Sequence, residues 1–296
     1  MKRALVVINP ISGVRASPGG VAEVELAGRV LRQAGYDTRV TVTLGPGHAT
    51  EVAGDAAATG ADLVVAWGGD GTMNEVARAL AFGPVALAIV PAGSGNGLAR
   101  ELGVPLEPKA ALTLAGTGGR RRIDAGEVNG QLFFNVAGVG LDARVAGAFA
   151  ERRGRRGLSR YVQVGARELL RYRAQSYELA WDGGTSSGRK LFVALANSRQ
   201  YGSHGCIAPA ARLDDGRFDI VVIDDQPLWR VLTRVPAFFS GTLASGGGVQ
   251  MSTFTRARLA TSGLLDVHLD GEPAALASPL DVRVHAQALT VVVPPV

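Results

Sequence analysis

A short segment with three glycines, one carboxylate and one threonine carries the strongest chemical signal in the sequence. It reads GGDGT over residues 68–72 and follows the apolar run ADLVVAW. Glycines let a backbone approach a bulky anion, and the N-terminus of the helix predicted next, Thr72–Ala81, favours phosphate. Asp70 would be repelled by a phosphate unless Mg²⁺ lay between the two. The segment therefore predicts a site for a metal-bound phosphate group.

The same segment also has a purely structural interpretation, as a tight turn before a well-capped helix. Thr72 is the predicted N-cap of that helix, and Glu75, three residues later, completes a capping box. This interpretation explains the threonine and the glutamate, but it gives Asp70 no role. We therefore favour the functional interpretation.

Two further loops repeat the pattern of a strand end rich in glycine or polar residues. PAGSGNGLAREL begins at Pro91 and supplies Ser94 and Asn96 as hydrogen-bonding groups, and INPISG supplies Asn9. The sequence contains no Walker A motif, and no GxGxxG motif follows its first strand. Ordinary P-loop and Rossmann interpretations are therefore unsupported.

The first 120 or so residues alternate between apolar strands and helices. KRALVVIN, ADLVVAWG and VALAIVP are continuous apolar runs, typical of strands that are covered on both faces. This order predicts an α/β domain with a mostly parallel sheet and helices on both faces. Ligands of such sheets bind outside the carboxyl ends of the strands, where the three loops lie.

The remaining residues alternate as short strands separated by turns, which is typical of an all-β sandwich or barrel. Two helices interrupt this pattern, around Tyr161–Arg173 and Pro227–Gly241. We place the boundary in the basic, glycine-bearing stretch at 116–122. The prediction is an α/β domain at 1–122 and a β-sandwich at 123–296, with a cleft between them.

Composition restricts the location and the partners. The net charge is +5. The segment from Glu151 to Arg173 contains eight arginines and two acids, and such a basic segment suits phosphates, anionic lipid headgroups or nucleic acid. A single cysteine, Cys206, favours a reducing compartment, and four scattered histidines give no zinc-site spacing. We find neither a signal-peptide pattern nor an apolar run long enough to span a membrane, and we therefore expect a cytoplasmic protein.

The order and spacing of these motifs resemble the diacylglycerol kinase catalytic-domain family. NPISG, GGDGTMNEV and PAGSGNGLAR match it in the first half, and NVAGVGLDARV, PAARLDDGRFDIVVI and LDGE match it in the second. The family includes soluble bacterial lipid kinases and sphingosine kinases, and GGDGT is shared with NAD kinases and phosphofructokinases. SGNGLA is similar to the sequence that sphingosine kinases have at this position, which leaves the substrate lipid open.

The resemblance implies an ATP- and Mg²⁺-dependent lipid kinase. It would phosphorylate the hydroxyl of diacylglycerol or of a related lipid, such as a sphingoid base or phosphatidylglycerol. The implied fold is an NAD-kinase/phosphofructokinase-like α/β domain followed by a β-sandwich. The implied nucleotide-binding residues are Asn9, Thr43, Gly68, Gly69, Asp70, Gly71, Thr72, Met73, Asn74, Glu75, Ser94 and Asn96.

The motif LDGE carries the family's catalytic acid. Glu272 is the implied proton acceptor, Asp270 is a competing candidate, and Asp70 either holds the catalytic Mg²⁺ or assists deprotonation. Without the resemblance, Asp270-Gly271 would be interpreted as a hairpin turn.

The resemblance assigns two more sites to the second half. A structural Mg²⁺ would be bound by Asp215 and by the carbonyl groups of Arg212 and Arg217, although LDDG also fits a solvated hairpin turn. Asp142 would contact the lipid headgroup, and a buried structural aspartate is the alternative.

We expect the lipid to be met at a membrane surface. The basic patch Arg152–Arg160 would orient the protein there, and apolar residues of the helix near Pro227–Gly241 would either join the core or line an acyl-chain pocket. We expect no nucleic-acid partner, and a homodimer is left open. The rival functions are an NAD kinase and a catalytically silent lipid- or nucleotide-binding protein of the same fold.

Overall fold

A computed structural model describes residues 1–12, 21–151, 167–168, 171–201, 205–263 and 265–295. These residues form two compact units. The first contains Met1–Ile123 together with Gln287–Val296, and the second contains Asp124–Ala286. The division drawn from the sequence assigned all of 123–296 to the second domain. The structure groups the last ten residues with the first unit because the final strand pairs there.

The first unit alternates strands and helices along the chain. Its elements are β1 (Lys2–Ile8), α1 (Val21–Gln33), β2 (Tyr36–Val42), α2 (His48–Ala58), β3 (Leu63–Gly68), α3 (Asp70–Leu80), β4 (Ala86–Pro91), α4 (Gly97–Glu101) and α5 (Pro108–Thr117). Strand β1 pairs in parallel with both β2 and β3, and β3 pairs in parallel with β4. The end of the last strand pairs in parallel with β4 at Val291.

The burial pattern explains why this sheet forms. Every residue of β3 and β4 is buried, as expected for strands that are covered on both faces. Helix α1 packs with α5, and α2 packs with α3. The predicted α/β fold class is confirmed, and the carboxyl ends of β1 to β4 lie along one edge of the sheet because the four strands are parallel.

The start of α3 differs from the prediction. The helix begins at Asp70, its N-cap is Gly69 in an extended conformation, and no side chain caps it. The predicted capping box of Thr72 and Glu75 is therefore wrong. The Glu75 carboxylate instead accepts the N–H groups of Gly47 and Ala49 at 3.0 and 3.1 Å, and thus caps the neighbouring helix α2.

The second unit is dominated by antiparallel strands. Its elements are β5 (Gly119–Val128, which begins in the first unit), β6 (Gln131–Phe133), β7 (Val136–Gly140), α6 (Leu141–Glu151), β8 (Gln175–Trp181), β9 (Gly184–Ala196), β10 (Gln200–Tyr201), β11 (Gly205–Cys206), β12 (Phe218–Asp224), α7 (Leu228–Ser240), β13 (Val249–Phe254), β14 (Arg256–Ala260), β15 (Val267–Leu269), β16 (Glu272–Ala274) and β17 (Leu280–Val293, which ends in the first unit). Strand β9 lies in the middle and pairs with β7, β8 and β12.

Side chains that alternate along these strands build two separate cores. On β12, Ile220 and Val222 enter one cluster with residues of β8, β14 and β17, whereas Val221 and Ile223 enter another. The second cluster also contains Leu141 and Val145 of α6, and Val231 and Phe238 of α7 pack against it. The predicted β-sandwich is confirmed, with both helices packed at the second of these cores.

The helices of this unit were only partly predicted. Helix α7 lies where the sequence placed it, but α6 was not predicted, because the apolar run that precedes it reads as strand up to Gly140. The helix predicted at Tyr161–Arg173 and the basic patch Arg152–Arg160 lie wholly or largely outside the described residues. No helix in the described part of the chain has the length and apolar character needed to cross a membrane.

Candidate active site

Asp70 joins the two glycine-rich loops that follow β3 and β4. Its carboxylate accepts the N–H of Asn96 at 2.9 Å through Oδ2 and the N–H of Gly97 at 3.0 Å through Oδ1. Burial raises the pKa of Asp70, while the Asn96 and Gly97 N–H groups and the nearby Arg100 act in the opposite direction. The side chain thus fixes one loop to the other.

The glycines of these loops make room for protein atoms. A Cβ at Gly93 would lie 2.8 Å from the Cα of Gly69, and a Cβ at Gly95 would lie 2.8 Å from Oδ2 of Asp70. The two loops therefore approach each other closely enough that neither position accepts a side chain without a shift. The glycines were predicted to admit phosphates, and part of their role is to admit the neighbouring loop.

Asparagine side chains form further hydrogen bonds at these strand ends. Asn96 has a left-handed backbone (φ 51°), accepts the N–H of Gly93 at 2.9 Å and donates to its carbonyl at 2.7 Å. Asn9, after β1, donates to Oγ1 of Thr72 at 2.9 Å. The N–H of Thr43, after β2, donates to the carbonyl of Ile8 at 2.8 Å. The structure thus gathers the predicted residues of all four strand ends along one edge.

The remaining predicted nucleotide-binding residues differ in exposure. Ser94 is exposed, whereas Met73 and Asn74 are buried on the inner side of α3. The amide of Asn74 is completely buried and finds no hydrogen-bond partner among the described residues. The helical hydrogen-bond pattern of α3 starts at the N–H of Met73, which donates to the carbonyl of Gly69. The N–H groups of the residues before Met73 are not part of this pattern and lie at the helix N-terminus, where anions bind.

Asp270 is held by backbone groups. Its carboxylate accepts three N–H groups, from Phe134 at 2.9 Å, Asn135 at 2.7 Å and Val136 at 3.0 Å. Its own N–H donates to the carbonyl of Val136 at 2.9 Å. This geometry fastens the LDGE turn to the start of β7. Glu272, two residues later, is exposed at the start of β16, and an exposed carboxylate is accessible to a reacting hydroxyl.

Asp142 lies at the start of α6 and is buried. Its Oδ2 lies 2.8 Å from Nε2 of His268, which is also buried. This pairing matches the alternative of a buried structural aspartate, and its predicted contact with a lipid headgroup stays a prediction.

The LDDG turn lies between Ala211 and β12. Asp215 is exposed, and its Oδ1 accepts the N–H of Arg217 at 3.0 Å. The buried carboxylate of Asp124 accepts the N–H of Gly216 at 2.7 Å. Burial, together with the charge of Asp215, raises the pKa of Asp219 to about 6. With Asp214, the other acid of the motif, four carboxylates therefore lie at or near one turn.

This turn fits a magnesium ion in part. Carboxylate and carbonyl oxygens are the donors that Mg²⁺ prefers, and Asp215 and the carbonyl groups of Arg212 and Arg217 are of those kinds. Across the described residues, no three His, Cys, Asp or Glu side chains are grouped to hold an ion. An ion at this turn would therefore depend on backbone carbonyls and water.

Sequence reasoning missed His268, Asp124 and Asp219. His268 was dismissed because it lacks a metal-ligand spacing, although it stands directly before the LDGE motif. Asp124 and Asp219 are single acids at the edge of apolar strand segments, IDA and FDIVVI. A charge inside a buried strand requires a partner, and that signal was available in the sequence.

Two family models match the chain, one in each half. Residues 3–128 match the diacylglycerol kinase catalytic domain, and residues 135–293 match the YegS C-terminal NAD kinase beta sandwich-like domain. The first match contains the loops joined by Asp70, and the second contains the LDGE and LDDG turns.

Individual proteins match over nearly the whole length. A Pseudomonas aeruginosa protein named "Probable lipid kinase YegS-like" is 38% identical over 292 residues, 91% of each chain. A Bacillus subtilis protein named "Diacylglycerol kinase" is 32% identical and covers 92% of this chain and 90% of its own. The crystal structure of a diacylglycerol kinase from Bacillus anthracis aligns with a TM-score of 0.77, at 21% identity, over 99% of this chain and 97% of that one.

Proposed function

The chain belongs to the diacylglycerol kinase catalytic-domain family of lipid kinases, and from this membership we propose that it transfers the γ-phosphate of ATP to the hydroxyl of diacylglycerol or a closely related lipid. The observation that carries the proposal is the fastening of two glycine-rich loops by Asp70 at the carboxyl ends of β3 and β4. Parallel sheets bind their ligands at this edge, where the N-terminus of α3 would offer backbone N–H groups to a triphosphate.

We assign nucleotide binding to the first unit. The N-terminus of α3 and the loop at 92–97 would hold the phosphates, and Asp70 is the carboxylate that would face Mg²⁺ of the nucleotide. When bound, that ion would neutralise charge on the transferred phosphoryl group. Rigid loops also reduce the reorganisation needed to align the γ-phosphate with a hydroxyl.

We assign proton transfer to Glu272. Phosphoryl transfer to an alcohol needs a carboxylate that accepts the hydroxyl proton, and Glu272 is an exposed acid on a turn whose neighbour Asp270 is fixed by three N–H groups. Asp270 is therefore the anchor of the turn, and Glu272 is the base. A second Mg²⁺ at the LDDG turn would be structural, bound by Asp215 and the carbonyl groups of Arg212 and Arg217.

A transfer assay tests the proposal and separates its rivals. The full chain is incubated with γ-labelled ATP and Mg²⁺, and with diacylglycerol, a sphingoid base, phosphatidylglycerol or NAD in separate reactions. We expect label in diacylglycerol in mixed micelles and its loss when EDTA is added. Label in NAD alone would identify an NAD kinase, and label in no acceptor, with ATP bound, would identify a silent relative.

A lipid kinase must reach its substrate in a bilayer, and helix α7 carries a surface suited to that task. Trp229, Leu232, Val235 and Phe239 recur at intervals of three or four residues, so they share one face of the helix. They are 40% to 62% exposed. The other face is occupied, because Val231 and Phe238 pack against the core. Helix α7 is therefore apolar on both faces, and among the described residues only one face packs against a core.

The charges around this face favour an anionic bilayer as its occupant. Helix α7 contains two arginines and no acid. Arg230 lies over the Trp229 ring at 5.2 Å, and Arg234 donates to the carbonyl groups of Gly246 and Gly247. Apolar side chains that enter the headgroup region beside cationic ones are typical of interfacial helices. The basic patch Arg152–Arg160 would add to this attraction, and its contribution stays a prediction.

The docking surface predicts the behaviour of a double variant. We expect Trp229→Ser with Leu232→Ser to weaken binding to phosphatidylglycerol-containing vesicles by about tenfold or more, because each side chain contributes on the order of 1 kcal/mol when partly buried in lipid. Vesicle sedimentation measures the effect, and the melting temperature should not fall. Leu106→Ser is the matched control, since Leu106 is 47% exposed in the first unit.

Two outcomes would contradict this assignment. Unchanged vesicle binding by the double variant would show that α7 does not contact lipid. A concentration-dependent dimer that the double variant abolishes, without any change in vesicle binding, would assign the same face to a second copy of the chain.

A further inference from the structure

A buried histidine connects helix α6 to the LDGE turn. Nε2 of His268 lies 2.8 Å from Oδ2 of Asp142, and Nδ1 of His268 accepts the N–H of Gly271 at 3.1 Å. His268 is 2% exposed and Asp142 is 7% exposed. The three residues form one continuous chain of hydrogen bonds that ends at the residue before Glu272.

The surrounding structure is built around this pair. A Cβ at Gly138 of β7 would collide with both Asp142 Oδ2 and His268 Nε2, so glycine is required there. The hydroxyl of Tyr201 on β10 lies 3.3 Å from the same Nε2. Because the pair is enclosed on these sides, the ring of His268 has little freedom to turn.

The turn that His268 holds determines the direction of Glu272. Leu269 pairs with Glu272 across β15 and β16, and the two residues between them, Asp270 and Gly271, both have left-handed backbones (φ 53° and 84°). Such two-residue hairpin turns need both positions at positive φ. The turn has two anchors, the carboxylate of Asp270 and the N–H of Gly271, and the second depends on His268.

We propose that His268 is a positioning residue that holds Gly271, and through it the Glu272 carboxylate, in the geometry needed for proton acceptance. This inference rests on the proposed function, because it takes Glu272 to be the base. His268 itself touches neither substrate nor nucleotide in this assignment. It acts only through the hydrogen bond from Gly271 to Nδ1.

The same bond makes the position of the turn sensitive to protonation. A ring that carries protons on both nitrogens has no lone pair to accept the Gly271 N–H. Burial opposes a positive charge on His268, but the Asp142 carboxylate, with a contribution from Asp270, outweighs it and raises the pKa of His268. Asp142, Tyr201 and Asp270 are the titratable groups that face the ring. Lowering the pH through this pKa should release the turn.

Two substitutions separate positioning from a merely structural role. Asparagine places an oxygen near the position of Nδ1 and can still accept the Gly271 N–H, whereas glutamine places its polar end near Nε2 and cannot. We expect His268→Gln to lower kcat by about tenfold to a hundredfold with KM for ATP unchanged, since small misplacements of catalytic groups have effects of this size. We expect His268→Asn to stay within about threefold of the wild-type kcat and to lose the decline of kcat at acid pH.

Hydrogen exchange at the Gly271 amide gives a readout that does not depend on lipid turnover. Protection should be retained in His268→Asn and lost in His268→Gln. His285→Gln is the matched control, because it removes another histidine–carboxylate pair of the same unit, His285 with Glu127 at 2.7 Å. It should leave kcat and Gly271 exchange unchanged.

Different results would overturn the positioning role of His268 and the proposed lipid-kinase function. Equal loss of kcat and of thermal stability in His268→Asn and His268→Gln, or unchanged Gly271 exchange in the glutamine variant, would overturn the positioning role. Absence of lipid phosphorylation by the wild-type chain would overturn the proposed function, while the exchange measurement would still report on the His268–Gly271 bond.

Discussion

Replacing Glu272 with glutamine is expected to lower kcat for lipid phosphorylation by about a thousandfold, because a positioned general base contributes on the order of 10² to 10⁴ in rate. Glutamine keeps the size and the hydrogen-bonding reach of the side chain but cannot accept the hydroxyl proton. Because Glu272 is exposed at the start of β16, the substitution should not disturb the core. Steady-state kinetics with γ-labelled ATP, together with calorimetric ATP binding, measure the two effects separately.

The matched control for this variant is Glu178→Gln. Glu178 is an exposed glutamate on β8 of the same unit, and its replacement should leave both turnover and ATP affinity unchanged. A Glu272→Gln enzyme with turnover within threefold of wild type would remove Glu272 from the mechanism. Loss of ATP binding in that variant would indicate a nucleotide-binding role instead.

Asp270→Ala is expected to lower the free energy of unfolding by about 4 kcal/mol. The Asp270 carboxylate accepts three backbone N–H groups, and each donor left without a partner costs about 1 to 3 kcal/mol when buried, less where water can reach it. Alanine at the positive φ of 53° adds about 1 kcal/mol. Urea unfolding followed by circular dichroism measures the change.

Asp281→Ala provides the comparison for that measurement. Asp281 forms a surface salt bridge with Arg258 at 2.8 Å, in which both side chains are more than half exposed, so its loss should cost less than about 1 kcal/mol. If Asp270→Ala unfolded at the same urea concentration as wild type but lost turnover a thousandfold, Asp270 would be the base and the anchoring role would be wrong.

The parallel sheet and its ligand edge were predictable because they depend on local pattern. Buried parallel strands need unbroken apolar runs, and LVVAWG and ALAIVP supply them. The strand ends then meet along one edge by geometry alone. For the same reason, the sequence alone assigns the loops after β1, β3 and β4 to one candidate site.

The partners of the polar side chains could not be predicted, because they depend on which loop lies beside which in the folded chain. Thr72 and Glu75 have the spacing of a capping box, yet the Glu75 carboxylate binds the N-terminus of α2 and Thr72 accepts from Asn9. The sequence predicted a metal-facing role for Asp70, which stays a prediction, but it did not reveal that both oxygens accept N–H groups from a loop 26 and 27 residues away. Local spacing does not reveal contacts of this kind.

Two other features were hidden for different reasons. The partners of His268 are Asp142 and Gly271, which lie on separate elements, so no motif spacing marks the histidine. The apolar residues of α7 were assigned either to the core or to an acyl-chain pocket, because an all-round apolar helix does not reveal which face is buried. In the fold, Phe238 packs inward and Trp229 faces outward.

The central claim is that Glu272 and the glycine-rich loops, which we propose bind the phosphates of ATP, serve one reaction. The most direct measurement uses a Glu272→Cys enzyme in a Cys206→Ser background, so that position 272 carries the single thiol. An ATP analogue with a thiol-reactive group on its γ-phosphate is added, and the modified residue is identified by mass spectrometry. We predict rapid modification at position 272 that excess ATP prevents, with little modification of a Glu178→Cys control. Modification of the two positions at equal rates, unaffected by ATP, would contradict the account.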